Sequence, residues 1–134
     1  MKKVEHIGIA VKDLTNANQL FEKLFNQPHY KVEAVESEGV STSFFQLGET
    51  KIELLEATNE NSAIAKFIEK RGEGIHHIAF EVEDKDAEME RLTKEGFQLI
   101  DQSPKEGADN KRICFLHPKS TNGVLIELCQ EKAK

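Results

Sequence analysis

The chain has 134 residues, 31% of them charged and 38% apolar, with two cysteines and a formal net charge of −6. That size suits one domain, or two small lobes sharing a core. The acidic balance and the lack of lysine or arginine runs argue against a nucleic-acid surface. No apolar stretch reaches the length of a membrane span, and Met1-Lys2-Lys3-Val4-Glu5 runs straight into a strand pattern, unlike a secretory signal. Cys114 and Cys129 are too few and too irregular for a disulfide framework, so the expectation is a cytoplasmic protein in which both are small core residues.

Residues 4–11 alternate or run apolar with β-branched members, which predicts a strand. Asp13 is a candidate helix N-cap, and Leu14, Ala17, Leu20, Phe21, Leu24 and Phe25 follow as one apolar helix face that Asn26-Gln27-Pro28 stops. Strands near 30–36, 40–47 and 50–56 come next, separated by Ser37-Glu38-Gly39 and Gly48-Glu49-Thr50. Ile64, Phe67 and Ile68 mark a connecting helix at about 61–71, ended by Arg71-Gly72-Glu73-Gly74. The programme then repeats: a strand at 75–82, a helix from Asp84 to about residue 95 closed by Gly96, and strands near 97–102, 111–117 and 123–129. The pattern predicts an α+β protein of two βαβββ modules, at about 1–58 and 74–131, forming a single domain over 1–134.

The repeat extends to chemistry. Val4-Glu5-His6-Ile7-Gly8-Ile9-Ala10-Val11 returns as Ile75-His76-His77-Ile78-Ala79-Phe80-Glu81-Val82, and Lys51-Ile52-Glu53-Leu54-Leu55 as Leu125-Ile126-Glu127-Leu128-Cys129. Each half thus carries a histidine in an early strand and a glutamate in a late one. Side chains alternate across a strand, so His6 and His77 leave the faces on which Ile7, Ile9, Ile78 and Phe80 pack, with small Gly8, Ala10 and Ala79 beside them. Glu53 and Glu127 likewise oppose Ile52, Leu54, Ile126 and Leu128. A single strand histidine is more often structural than a ligand, and a single glutamate is usually solvated. Four such groups in repeat-related pairs, however, predict a metal site of His6, Glu53, His77 and Glu127, because charge is seldom buried without a partner or an ion. His76 competes with His77 but shares parity with the packed face; His29 and His117 read as ordinary turn or surface residues.

With Lys111-Arg112-Ile113-Cys114-Phe115-Leu116-His117-Pro118-Lys119-Ser120 and the closing Gly123-Val124-Leu125-Ile126-Glu127-Leu128, these segments resemble the vicinal-oxygen-chelate (glyoxalase/bleomycin-resistance) superfamily, and within it the methylmalonyl-CoA epimerases. The resemblance implies a cupped mixed sheet around one divalent ion (zinc, cobalt, nickel or manganese), held by His6, Glu53, His77 and Glu127. It also implies a homodimer. The His117-Pro118-Lys119-Ser120 turn differs from the Asp-Pro-Asp-Gly that the resemblance leads one to expect of a glyoxalase I. Thr42 stands where some epimerases carry a separate glutamate base and use glutamine in place of Glu53; Thr42 is thus a substrate-facing residue that cannot act as a base.

The implied reaction inverts the α-carbon of methylmalonyl-CoA through proton removal and return. Glu53 and Glu127 would be the acid–base pair on opposite sides of the substrate, with the ion stabilising enolate charge. A carboxylate bound tightly to a cation is a poor base, so one of the two must loosen its hold during turnover. Lys111, Arg112, Lys119 and Ser120 are candidates for meeting the phosphates of an acyl-CoA. Two alternatives use the same fold: a glyoxalase-I-like lactoylglutathione lyase with the same four ligands, and a binding protein that sequesters a small molecule. Such binders generally lack the full ligand set.

Overall fold

A computed structural model describes residues 1–100, 105–107 and 111–131, and only the backbone of 105–107 and 111. Its elements run β1 (Lys3–Ala10), α1 (Leu14–Phe25), β2 (Lys31–Val35), β3 (Val40–Leu47), β4 (Thr50–Ala57), α2 (Ala63–Arg71), β5 (Gly74–Glu81), α3 (Lys85–Lys94), β6 (Lys105–Gly107), β7 (Lys111–Leu116) and β8 (Ile126–Glu131). This is the α+β class with two successive βαβββ programmes joined by α2. Internal contacts divide the chain into two compact units, Ile7–His76 and Met1–His6 with His77–Lys134, so that β1 is cut after His6.

In the Ile7–His76 unit, Asp13 starts α1 as its N-cap, its Oδ1 accepting the Asn16 N–H at 3.0 Å. Leu14, Ala17, Phe21 and Phe25 pack onto Ile9, Val11, Phe45, Ile52 and Leu54. Leu20 and Leu24 do not join them: they are 63% and 68% exposed. At about 100° per residue Leu20 and Leu24 lie about 105° and about 65° from the mean direction of positions 14, 17, 21 and 25, so the buried stripe is narrower than the spacing suggested. Strands β2, β3 and β4 form an antiparallel meander in which Phe44 opposes Glu53 and Thr42 opposes Leu55. The β2–β3 connection needs its glycine. Gly39 has φ +63°, and a Cβ there would come within 2.7 Å of Asn59 Nδ2 and 2.9 Å of Ser62 Cβ. Ser62 in turn caps α2, its Oγ accepting the Ala65 N–H. The helix packs Ile64, Phe67 and Ile68 onto Ala10, Val40 and Leu55.

In the other unit, β5 pairs with β8 in parallel, and β8–β7–β6 continue antiparallel, which makes the sheet mixed. Strand alternation sorts its residues into two sides. Phe80, Val82, Cys114, Leu116, Ile126 and Leu128 pack with Met89 and Leu92 of α3. Ala79, Ile113, Phe115 and Cys129 pack together on the other. Asp84 caps α3 by accepting the Ala87 N–H at 3.1 Å, as Asp13 does for α1.

Two expected strands are shorter than the sequence suggests. Of the one near 97–102, the described residues 97–100 make only a bridge between Leu99 and Leu116; the Gln98 N–H is taken by the Ser120 hydroxyl, which removes it from a ladder, and 101–104 lie outside the described residues. The one near 123–129 starts only at Ile126, because Gly123 (φ +85°) and Val124 still belong to a turn, with the Val124 N–H donating to the Thr121 carbonyl.

Candidate metal centre

Three of the four sequence-derived ligands meet within the unit that contains Met1–His6. His6 on β1, His77 on β5 and Glu127 on β8 are 5%, 6% and 5% exposed. Register explains part of this: β5 and β8 run parallel with Ala79 opposite Glu127, which sets His77 two residues away on the same side of the sheet. The His6 and His77 Nε2 atoms are 3.0 Å apart, and Glu127 Oε1 is 3.1 Å from His77 Nε2 and 3.6 Å from His6 Nε2. Around a divalent ion with bonds of about 2.1 Å, neighbouring donors at right-angle or tetrahedral spacing stand about 3.0–3.4 Å apart; the 3.0 and 3.1 Å edges match that spacing and the 3.6 Å edge is slightly longer, so the triangle is close to the size an ion needs. Two imidazole nitrogens and a carboxylate oxygen are borderline donors that suit zinc, cobalt, nickel or manganese. Phe115 lies edge-on to the His77 ring at 6.0 Å and supplies an apolar wall.

Burial alone would push the Glu127 carboxyl up, but the two imidazoles, His6 first by charge and hydrogen bond and then His77, hold it well below the ordinary carboxylate range. The group is therefore ionised at neutral pH, as a ligand for a cation must be.

Glu53 belongs to the other unit, on β4, where it is 4% exposed. Thr42, fully buried, is its diagonal neighbour on the same side of the β3–β4 pair. The His76 ring packs edge-on at 5.0 Å against Phe67 of α2, within the Ile7–His76 unit. His29 Nδ1 is hydrogen-bonded to Glu22 Oε2 at 2.7 Å, and His117 opens the 118–120 turn, its Nδ1 accepting the Lys119 N–H. In that turn the Ser120 hydroxyl donates to the His117 carbonyl and accepts the Gln98 N–H, while Lys119 is exposed. Arg112 is half-buried on β7, near enough to Asp86 to act on it by charge. The side chain of Lys111 lies outside the described residues.

Two residues at this centre escaped the sequence reading. Glu5, to which the sequence reading gave no role, is 3% exposed, and its Oε1 lies 2.7 Å from His6 Nδ1. Cys129, read as filler, is fully buried with its thiol 2.8 Å from Glu127 Oε2. The second could have been found by parity, since residues two apart in a strand share a face; the first departs from simple alternation with its neighbour His6.

The tandem βαβββ modules define the vicinal-oxygen-chelate class of fold, and the buried His-His-Glu triangle is a candidate metal site in it. The chain belongs to the glyoxalase/bleomycin resistance protein/dioxygenase superfamily, whose model matches residues 5–115. It is 40% identical to the uncharacterized protein YqjC of Bacillus subtilis over 98% of this chain and 94% of that one. It is 41% identical to an ethylmalonyl-CoA/methylmalonyl-CoA epimerase of Cereibacter sphaeroides over 96% of this chain and 97% of that one. Among solved structures, a Streptomyces coelicolor methylmalonyl-CoA epimerase variant in complex with 2-nitronate-propionyl-CoA superposes with a TM-score of 0.94 at 34% identity, covering 99% of this chain and 96% of that one. No described helix is long and apolar enough to cross a membrane.

Proposed function

We propose that the protein is a metal-dependent epimerase acting on the α-carbon of methylmalonyl-CoA. The observation that carries this reading is the buried triangle of His6, His77 and Glu127 donors in a chain whose relatives include named epimerases of that substrate class. His6, His77 and Glu127 hold the ion, with Glu53 as the fourth ligand. When bound, a divalent ion would supply positive charge to the substrate oxygens on which negative charge develops.

The protein's part is positional and acid–base. The proton to be moved lies between a thioester and a carboxylate, so it is weakly acidic and needs a carboxylate held close to it. Glu53 and Glu127 take and return that proton from opposite sides. The imidazoles of His6 and His77 stay in place throughout as donors to the ion. Burial of these side chains keeps bulk water from the carbanion-like centre and strengthens each charge interaction there. Arg112 and Lys119, with Lys111 and Ser120, serve the phosphate end of the CoA. Thr42 faces the substrate without acting as a base.

The test is incubation with methylmalonyl-CoA in deuterated water, following the α-proton by NMR, beside the hemithioacetal of methylglyoxal and glutathione. Metal-dependent loss of the α-proton signal from the thioester supports the epimerase. Turnover of the hemithioacetal alone transfers the same site to a glyoxalase-I-like lyase, and exchange in neither leaves a binding protein.

A further inference from the structure

Behind the three donors lie two buried groups that the proposed chemistry does not use. We infer that Glu5 and Cys129 are positioning residues: Glu5 presets the tautomer and orientation of the His6 ring, and Cys129 fixes which oxygen of Glu127 is offered to the ion. The inference rests on the reading of His6, His77 and Glu127 as metal ligands.

Glu5 stands at the start of a strand, where a carboxylate is ordinarily solvated, yet it is 3% exposed. Its Oε1 lies 2.7 Å from His6 Nδ1. A carboxylate only accepts, so an imidazole in the neutral form that binds a cation would carry its proton on Nδ1 and leave the lone pair on Nε2. That Nε2 is the atom 3.0 Å from His77 and 3.6 Å from Glu127. A carboxylate behind the ring also makes the imidazole a stronger donor to a cation.

Glu127 presents the complementary problem. A carboxylate has two equivalent oxygens, and rotation about Cγ–Cδ or bidentate binding would blur the geometry of the triangle. Oε1 faces the imidazoles, while the Cys129 thiol sits 2.8 Å from Oε2 as a donor. Cys129 is two residues on along β8, on the same side of the strand, and is itself fully buried beside Ala79, Ile113 and Phe115. Donor atoms of Glu5, His6 and Cys129 lie within 4.8 Å of one another, so the two supports are adjacent parts of one polar layer. With the proton placed on His6 Nδ1 the 2.7 Å Glu5–His6 contact is a hydrogen bond, and on that assignment the layer orients ligands and is not a second ion site.

The experiment uses the full chain with E5Q, E5L, C129A and C129S, and reads cobalt(II) affinity by competition with a chromophoric chelator, the cobalt visible spectrum, and imidazole nitrogen NMR of the metal-free protein. Wild-type His6 is expected in the Nδ1–H form. E5Q keeps that form, since its amide oxygen still accepts, and binds cobalt more weakly than wild type. E5L loses the tautomer preference and about 10- to 100-fold in affinity, the usual effect of removing a group that orients a ligand. C129A weakens binding and shifts the cobalt bands, whereas C129S, whose hydroxyl donates to the same oxygen, recovers both. The Cys129 pair stands as an independent arm if E5L does not fold. Affinity in E5L within about twofold of wild type, against the usual 10- to 100-fold, overturns the role of Glu5. C129S no better than C129A overturns that of Cys129, as does a thiolate-to-cobalt charge-transfer band in wild type, which would make the sulfur a ligand. A folded wild type that binds no cobalt defeats the metal reading itself, a result distinct from variants that bind as well as wild type.

Discussion

Replacing His77 with alanine separates the metal reading from a merely structural one. Without metal, the change removes the side chain whose Nε2 lies 3.1 Å from Glu127 Oε1, both groups being buried. Losing a hydrogen bond to a charged, buried partner costs about 1.5–3 kcal/mol. For a chain of 134 residues the entropy of unfolding is about 0.28 kcal/mol/K, so the melting temperature in chelator should fall by roughly 5–11 °C. Metal adds a second difference. At a free ion concentration about a hundred times the dissociation constant, wild type gains about 2.7 kcal/mol, or roughly 10 °C, and His77→Ala gains close to none. His76→Ala is the control. It loses an edge-on contact with Phe67, worth about 0.5–1.5 kcal/mol, but should keep the full metal-induced shift. The assay is a set of thermal melts in chelator and in titrated zinc, cobalt, nickel and manganese, with metal content measured on the same samples. A wild type whose melting temperature no divalent ion moves, or a His77→Ala protein that retains the shift while His76→Ala loses it, would refute the reasoning.

Three other outcomes are expected. Glu53→Gln and Glu127→Gln keep an oxygen ligand but remove basicity, so both should retain some metal and lose epimerisation by about two to four orders of magnitude in the deuterium-exchange assay; Thr42→Glu in the Glu53→Gln background should recover part of that rate, and an undiminished Glu53→Gln enzyme would make Glu53 a spectator. Asp13→Ala removes the acceptor of the Asn16 N–H and should cost about 1 kcal/mol in denaturant melts, without altering metal content. The hydrogen bond from His29 holds the Glu22 carboxyl below its ordinary value. A depressed acid contributes stability above its unfolded value and loses it as pH falls through the folded one, so a small advantage of wild type over Glu22→Gln near neutral pH should fade in acid.

The local programme was legible in the chain because it depends on short-range physics. Asp13 and Asp84 cap their helices as expected, since a cap needs only its own side chain and the N–H three residues later. The βαβββ repeat could be read from hydrophobic period, and His6, His77 and Glu127 from strand parity. Where neighbours in space decide, the sequence is silent. Leu20 and Leu24 look like core residues until the helix is set against β3 and β4, and the strand near 97–102 gives way to a bridge once Ser120 claims the Gln98 N–H. Two cysteines of identical appearance have different surroundings: Cys114 packs among Leu116, Leu128 and the side chains of α3, whereas Cys129 lies against the Glu127 carboxylate. Sequence determined which residues could leave the packed faces; the parallel pairing of β5 with β8 and the entry of His6 beside them decided which of those meet. The physical reason is that alternation along a strand is a property of one backbone, while the 3.0–3.6 Å spacing of donor atoms arises from three strands distant in the chain.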